Sequence, residues 1–144
     1  MKITIKEPPA GAEEEIIVLC HNISPELLNM LNSFKAPETV LIANLGSDIH
    51  RVNHEDIFYI ETVDKKTFLY CEDEVYESKQ KLYELEALGM KSFYKVSKSV
   101  ILNLRKVKAL SPSLSGKVEV ILTNGERVVI SRPYVSELKK SLGI

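Results

Sequence analysis

Two short stretches of this chain carry residue types suited to contact with phosphates and base edges. Ser97-Lys98-Ser99 sets a cation between two hydroxyls at the end of a strand-like run. Ser131-Arg132 stands just before a helix-like segment, whose first backbone N–H groups lack partners within the helix. Lysine and serine suit phosphate oxygens, and an arginine can take a guanine edge through two parallel hydrogen bonds. Plainer uses exist for the same residues. Ser131 can cap the helix, and Lys98 can be a solvated cation, as most exposed lysines are. Asn103 lies among Ile101, Leu102 and Leu104. It reads as structural, its amide buried and bonded to backbone.

No other constellation rises to an active site. His21, His50 and His54 have no added Cys or Glu at a zinc spacing. His54 reads as a loop or cap residue before Glu55-Asp56. The six glycines are scattered as turn and cap residues, not gathered into a phosphate loop. No serine sits in a nucleophile-elbow pattern. The expectation is a protein that is not an enzyme, with no cofactor, no metal and no small-molecule substrate.

The elements around these stretches are mostly strands. Residues 2–6 alternate apolar and polar, and residues 15–20 are apolar; both read as strands, separated by the turn Pro8-Pro9-Ala10-Gly11. Ser24-Pro25-Glu26 starts a helix carrying Leu27, Leu28, Leu31 and Phe34 on one face. Residues 1–38 thus form a small β-β-α segment. From residue 39 onward, strands are expected over 40–44, 49–53, 57–63, 67–71, 75–78, 93–97 and 107–110. Gly46-Ser47-Asp48 and Asp64-Lys65-Lys66 supply turns. A helix with Ser78 as N-cap carries Leu82, Leu85 and Leu88, and Gly89 stops it. Residues 118–123 and 126–130 form a hairpin about Asn124-Gly125, a pair that favours a type I′ turn. Pro133 opens a last helix bearing Val135, Leu138 and Leu142, closed by Gly143. The fold class is mainly β with a few helices.

Composition narrows the partners. The net charge of −1 conceals a polarised chain. Residues 1–90 hold 8 Lys and Arg against 17 Asp and Glu, a balance of −9. Residues 91–144 hold 11 against 3, a balance of +8. A basic segment of this kind can meet a polyanion, or its lysines can simply solvate outer strand faces; charge alone does not choose. Apolar runs are too short to span a bilayer, so no membrane insertion is expected. Residues 1–15 lack the apolar core of a signal peptide. Cys20 and Cys71 belong to no metal or redox spacing and read as buried thiols in a reducing, cytoplasmic compartment.

Residues 39–144 resemble the LytTR DNA-binding domain. The resemblance rests on the strand Asp56-Ile57-Phe58-Tyr59-Ile60-Glu61 and the helix Leu82-Tyr83-Glu84-Leu85. It continues through Phe93, Ser97, Lys98, Ser99, Leu102 and Asn103. It ends on Ser131, Arg132, Tyr134, Leu138 and Lys139. Ser97 stands where many members of the family have histidine. The resemblance implies an elongated, mostly antiparallel β domain that reads double-stranded DNA through loops entering successive major grooves. Those loops would be residues 64–67, 95–99 and 131–134. The contact residues it implies are Lys98 and Arg132, supported by Lys65, Lys66, Lys95, Ser97, Ser99, Ser131 and Tyr134. Residues 1–38 lack the residue pattern of a receiver domain, so a stand-alone transcription regulator is expected. Residues 1–38 are also expected to help form a homodimer. The competing expectation is a protein-interaction module whose basic surface binds an acidic partner.

Overall fold

The computed structural model describes residues 2–35, 39–113 and 115–144, the side chains of residues 32–35 excepted. It divides the chain into two units, Met1–Pro37 and Glu38–Ile144.

In the first unit one helix forms, α1 (Pro25–Lys35). The Ser24 hydroxyl accepts a hydrogen bond from Leu27 N at 3.2 Å, as expected of an N-cap. The two segments expected as strands, residues 2–6 and 15–20, are not strands. Ile5 is 94% exposed and Leu19 92%. An alternating pattern supplies one apolar face, but a strand exists only through pairing, and neither segment is hydrogen-bonded to a sheet edge. Cys20 is therefore exposed rather than buried, while Cys71 is half-buried; both are free thiols.

Among its described residues the second unit contains ten strands and two α-helices. In chain order these are β1 (Val40–Leu45), β2 (Asp48–Asn53), β3 (Ile57–Val63), β4 (Lys66–Cys71), β5 (Val75–Ser78), α2 (Leu82–Ala87), β6 (Phe93–Lys95), β7 (Val100–Asn103), β8 (Val107–Pro112), β9 (Val118–Leu122), β10 (Arg127–Ile130) and α3 (Arg132–Ser141). Seven strands form one sheet in the order β2-β1-β5-β4-β3-β7-β6, and three form a second in the order β10-β9-β8. Every pairing is antiparallel.

Two cores flank the strands β3 and β7. One gathers Phe58, Val100 and Leu102 with Val118, Val120, Leu122, Val128, Ile130 and Leu138. The other gathers Ile57, Ile60 and Ile101 with Leu41, Val52, Leu69 and Leu85. Consecutive residues of β7 therefore alternate between cores, and all four are buried. A strand buried on both faces reads as a continuous apolar run without alternation. That is why β7 was absent from the strands expected above, although it pairs with β3 on one side and β6 on the other.

Three further expectations need correction. Ser78 does not cap α2. It ends β5, and its hydroxyl accepts from Gln80 N at 3.1 Å; Lys81 is the residue before the helix. Residues 96 and 97 are not part of a strand; β6 ends at Lys95. The Asn124-Gly125 turn is not type I′ either. Gly125 has φ +89°, but Asn124 is absent from the positive-φ residues. Gly125 N donates to Leu122 O at 2.9 Å, so the turn is type I in form with a left-handed glycine after it. The extra residue accommodates the loop. The pair that does occupy I′ geometry is Asp64-Lys65, with φ of 51° and 66° and Val63 paired with Lys66. Both are left-handed without a glycine, a conformation that costs about 1 kcal/mol or more per residue.

Glycine does serve the two helix ends as expected. Gly89 (φ 61°) follows α2 and Gly143 (φ 76°) follows α3. After α3, Gly143 N bonds Lys140 O and Ile144 N bonds Lys139 O, which satisfies carbonyls the helix cannot.

Candidate nucleic-acid interface

The three loops singled out by sequence are joined by backbone hydrogen bonds. In the β6–β7 connection, Val96 N donates to Val100 O at 3.0 Å and Ser99 N donates to the Ser97 hydroxyl at 3.2 Å. The loop is thus closed by its own small polar side chain, and Lys98 sits exposed at its tip. Ser99 O accepts from Thr62 N at 2.9 Å, which ties this loop to the end of β3 just before the Asp64-Lys65 turn. On its other side, Val96 O accepts from Ser131 N at 3.0 Å. Residue 131 is consequently held against the same loop, and Arg132 begins α3 beside it.

Each side chain has a definable setting. Lys65, Lys66, Lys98 and Arg132 are exposed. Ser97, Ser99 and Ser131 are half-buried. Ser131 is the residue before α3, but its hydroxyl makes no capping bond. Lys95 is half-buried and pairs loosely with Glu86 at 3.8 Å. Tyr134 is half-buried and packs against the core cluster that includes Leu138. Exposed cations on short, internally bonded loops can reach phosphate oxygens and groove edges without burying charge.

Asn103 occupies the opposite end of β7. It is 1% exposed. Its amide nitrogen donates to Ile57 O at 2.9 Å, and its Oδ1 accepts from the Ser92 hydroxyl at 2.7 Å and from Arg105 N at 3.1 Å. Nearby, Tyr59 stacks on Tyr70 with centroids 4.3 Å apart, close to the Glu126 carboxylate. Burial and that carboxylate hold the Tyr59 phenol well above its ordinary titration range.

One part of the site was missed by sequence reasoning. The loop between β8 and β9 approaches Arg132. A Cβ placed on Gly116 (φ 80°) would lie 3.7 Å from Arg132 Nε. Ser113 N and the Ser113 hydroxyl both donate to Lys117 O, at 3.0 and 2.8 Å, which shapes this loop. The run Ser113 to Lys117 signals a turn in the sequence, but its proximity to Arg132 arises only from tertiary packing.

The histidines build no cation site. His54 is buried, with Nδ1 3.1 Å from both Thr39 N and Thr39 O, and His50 lies against Tyr76. Among the described residues no group of three or more His, Cys, Asp or Glu could hold a metal, and no helix is long and apolar enough to cross a membrane.

Comparison with known proteins agrees with this geometry. The family model described as the LytTr DNA-binding domain matches residues 47–143. A sensory transduction protein LytT of Enterococcus faecalis is 31% identical over 137 residues, 92% of this chain and 57% of the relative. One from Bacillus anthracis is 36% identical over 94 residues, 65% of this chain and 38% of the relative. This chain therefore spans roughly half the length of these relatives or less. A Staphylococcus aureus protein named as an uncharacterized HTH-type transcriptional regulator is 25% identical over 82% of this chain and 80% of its own length. The solved structure of a LytTr DNA-binding domain from Bacillus cereus superposes with a TM-score of 0.70 at 31% identity, over 75% of this chain and all of that one. The mostly antiparallel fold, the joined loops and the matched residues together establish that this chain belongs to the LytTR DNA-binding domain family.

Proposed function

We propose that this protein is a cytoplasmic transcription regulator that binds double-stranded DNA sequence-specifically. Its loops at residues 64–67, 95–99 and 131–134 enter successive major grooves. Arg132 takes a guanine edge, and Lys98 contacts the adjacent backbone or base edge. Lys65, Lys66, Lys95, Ser97, Ser99, Ser131 and the Tyr134 hydroxyl position the duplex. The observation that supports this most directly is the pair of backbone bonds, Thr62 to Ser99 and Ser131 to Val96, which hold three cation-bearing segments side by side in a DNA-binding family fold.

Residues 1–38 act in homodimerisation, through the α1 face carrying Leu27, Leu28, Leu31 and Phe34. Leu28 is exposed on that helix, while the Phe34 side chain lies outside the described residues. Two subunits would engage paired half-sites.

Selection of bound duplexes from a random pool tests the reading. Recovery of a shared motif, with affinity falling steeply as salt rises, supports it. Absence of any specific duplex at physiological salt, together with capture of an acidic protein partner, would replace it with an interaction module. Sedimentation of the full chain at micromolar concentration tests the dimer, and a monomer with and without DNA would refute it.

A further inference from the structure

Lys65, Lys95 and Lys98 share a surface cavity of about 410 Å³ with a fourth lysine, Lys81. Among the described residues no carboxylate lines it. Lys81 belongs to none of the loops assigned above; it precedes α2 and is exposed. Thr62 and Ser99 contribute to the wall, fixed to one another by the 2.9 Å bond from Thr62 N to Ser99 O. The Thr62 hydroxyl is shielded from solvent and is the one enclosed side-chain polar atom without a hydrogen-bond partner among the described residues.

Four ammonium groups around one cavity repel one another. The Glu86 carboxylate holds Lys95 alone, loosely and in solvent. A wall of clustered cations is completed by an anion with several acceptor oxygens.

We propose that this cavity is a phosphate site and that Lys81 is a DNA-contacting residue. It seats one backbone phosphate of the duplex whose bases meet the neighbouring loop at Lys98. This rests on the DNA-reading function proposed above. The same chemistry could be offered by a free phosphate compound, so the test has an arm for each source.

The full chain and its Lys81→Ala and Lys81→Glu variants are compared, with Arg132→Ala alongside, after circular dichroism shows that each is folded. On a selected duplex, Lys81→Ala should lower the slope of log affinity against log salt by about one unit and leave sequence preference unchanged. Inorganic phosphate, titrated against a chloride control, should shift the amide resonances of Thr62 and Ser99 in the wild type and not in Lys81→Glu. Phosphate shifts with an unchanged DNA slope would overturn the DNA assignment and give the cavity to a free phosphate compound. Unchanged slope and no shifts would overturn the phosphate site altogether. In either case, weakened binding by Arg132→Ala leaves the DNA-reading function standing. Failure of the wild type to bind any duplex would instead defeat that function.

Discussion

The two ends of β7 lie only about 10 Å apart, three strand residues, yet they follow opposite rules. At the Val100 end the strand opens into Ser99 and the exposed Lys98, and the Ser97 hydroxyl accepts from Ser99 N. At the Asn103 end every polar atom of the side chain is engaged inside the fold. One end keeps donors available and the other uses them up. With the Lys98 end reading DNA as proposed, stability and recognition would be separated along one short strand, and substitutions should sort by which end they touch.

The largest effect should come from breaking what the ends share. Leu102 is fully buried in the core beneath the second sheet. Leu102→Ala should cost about 2–5 kcal/mol of stability, read by denaturant unfolding, and binding should fall only in proportion to the unfolded fraction. Asn103→Ala should follow, at about 1–3 kcal/mol, because it leaves Ile57 O and Arg105 N without their partner. Affinity for DNA per folded molecule should be unchanged. Lost affinity with an unaltered melting temperature would erase the distinction between the ends.

Arg132→Ala should show the mirror pattern. Specific binding should weaken by about 1–3 kcal/mol, measured by titration against matched and mismatched duplexes. Melting should move by no more than the equivalent of about 0.5 kcal/mol, since the side chain is exposed. The smallest effect sharpens the contrast. Lys65 holds a left-handed conformation at the turn between β3 and β4. Lys65→Gly should raise stability by about 0.5–1 kcal/mol while reducing DNA affinity, so the two readouts move in opposite directions. A gain in both would show that the turn is strained for no reason connected with DNA.

Sequence reasoning performed unevenly across these regions for physical reasons. Turn chemistry marked most strand limits from β1 to β5 within a residue or two, because Gly46-Ser47 and Asp64-Lys65 interrupt apolar alternation. The helix ends at Gly89 and Gly143 were equally plain. The strand β7 was not, since burial on both faces removes the period that reveals a strand. Residues 2–6 and 15–20 failed in the opposite way: they carry a strand pattern without a neighbour to pair with. The favoured turn dipeptide Asn124-Gly125 took a longer loop, and Asp64-Lys65 took the geometry that the dipeptide advertises. Around the candidate site, Ser97, Lys98 and Arg132 were visible as residue types and through family spacing. The approach of Gly116 to Arg132 and the gathering of Lys81 with Lys65 were not, because both depend on contacts between elements distant in the chain.

The bonds from Thr62 to Ser99 and from Ser131 to Val96 have a kinetic consequence. In the proposed mode of binding, loops already fixed in the free protein would surrender little conformational freedom on docking, so the ordering cost that weakens many loop-based binders would be small here. Encounter with any duplex is then governed by long-range charge and is nearly indifferent to base sequence. Correct and incorrect sites should be entered at similar rates, and discrimination should reside in how long each is occupied.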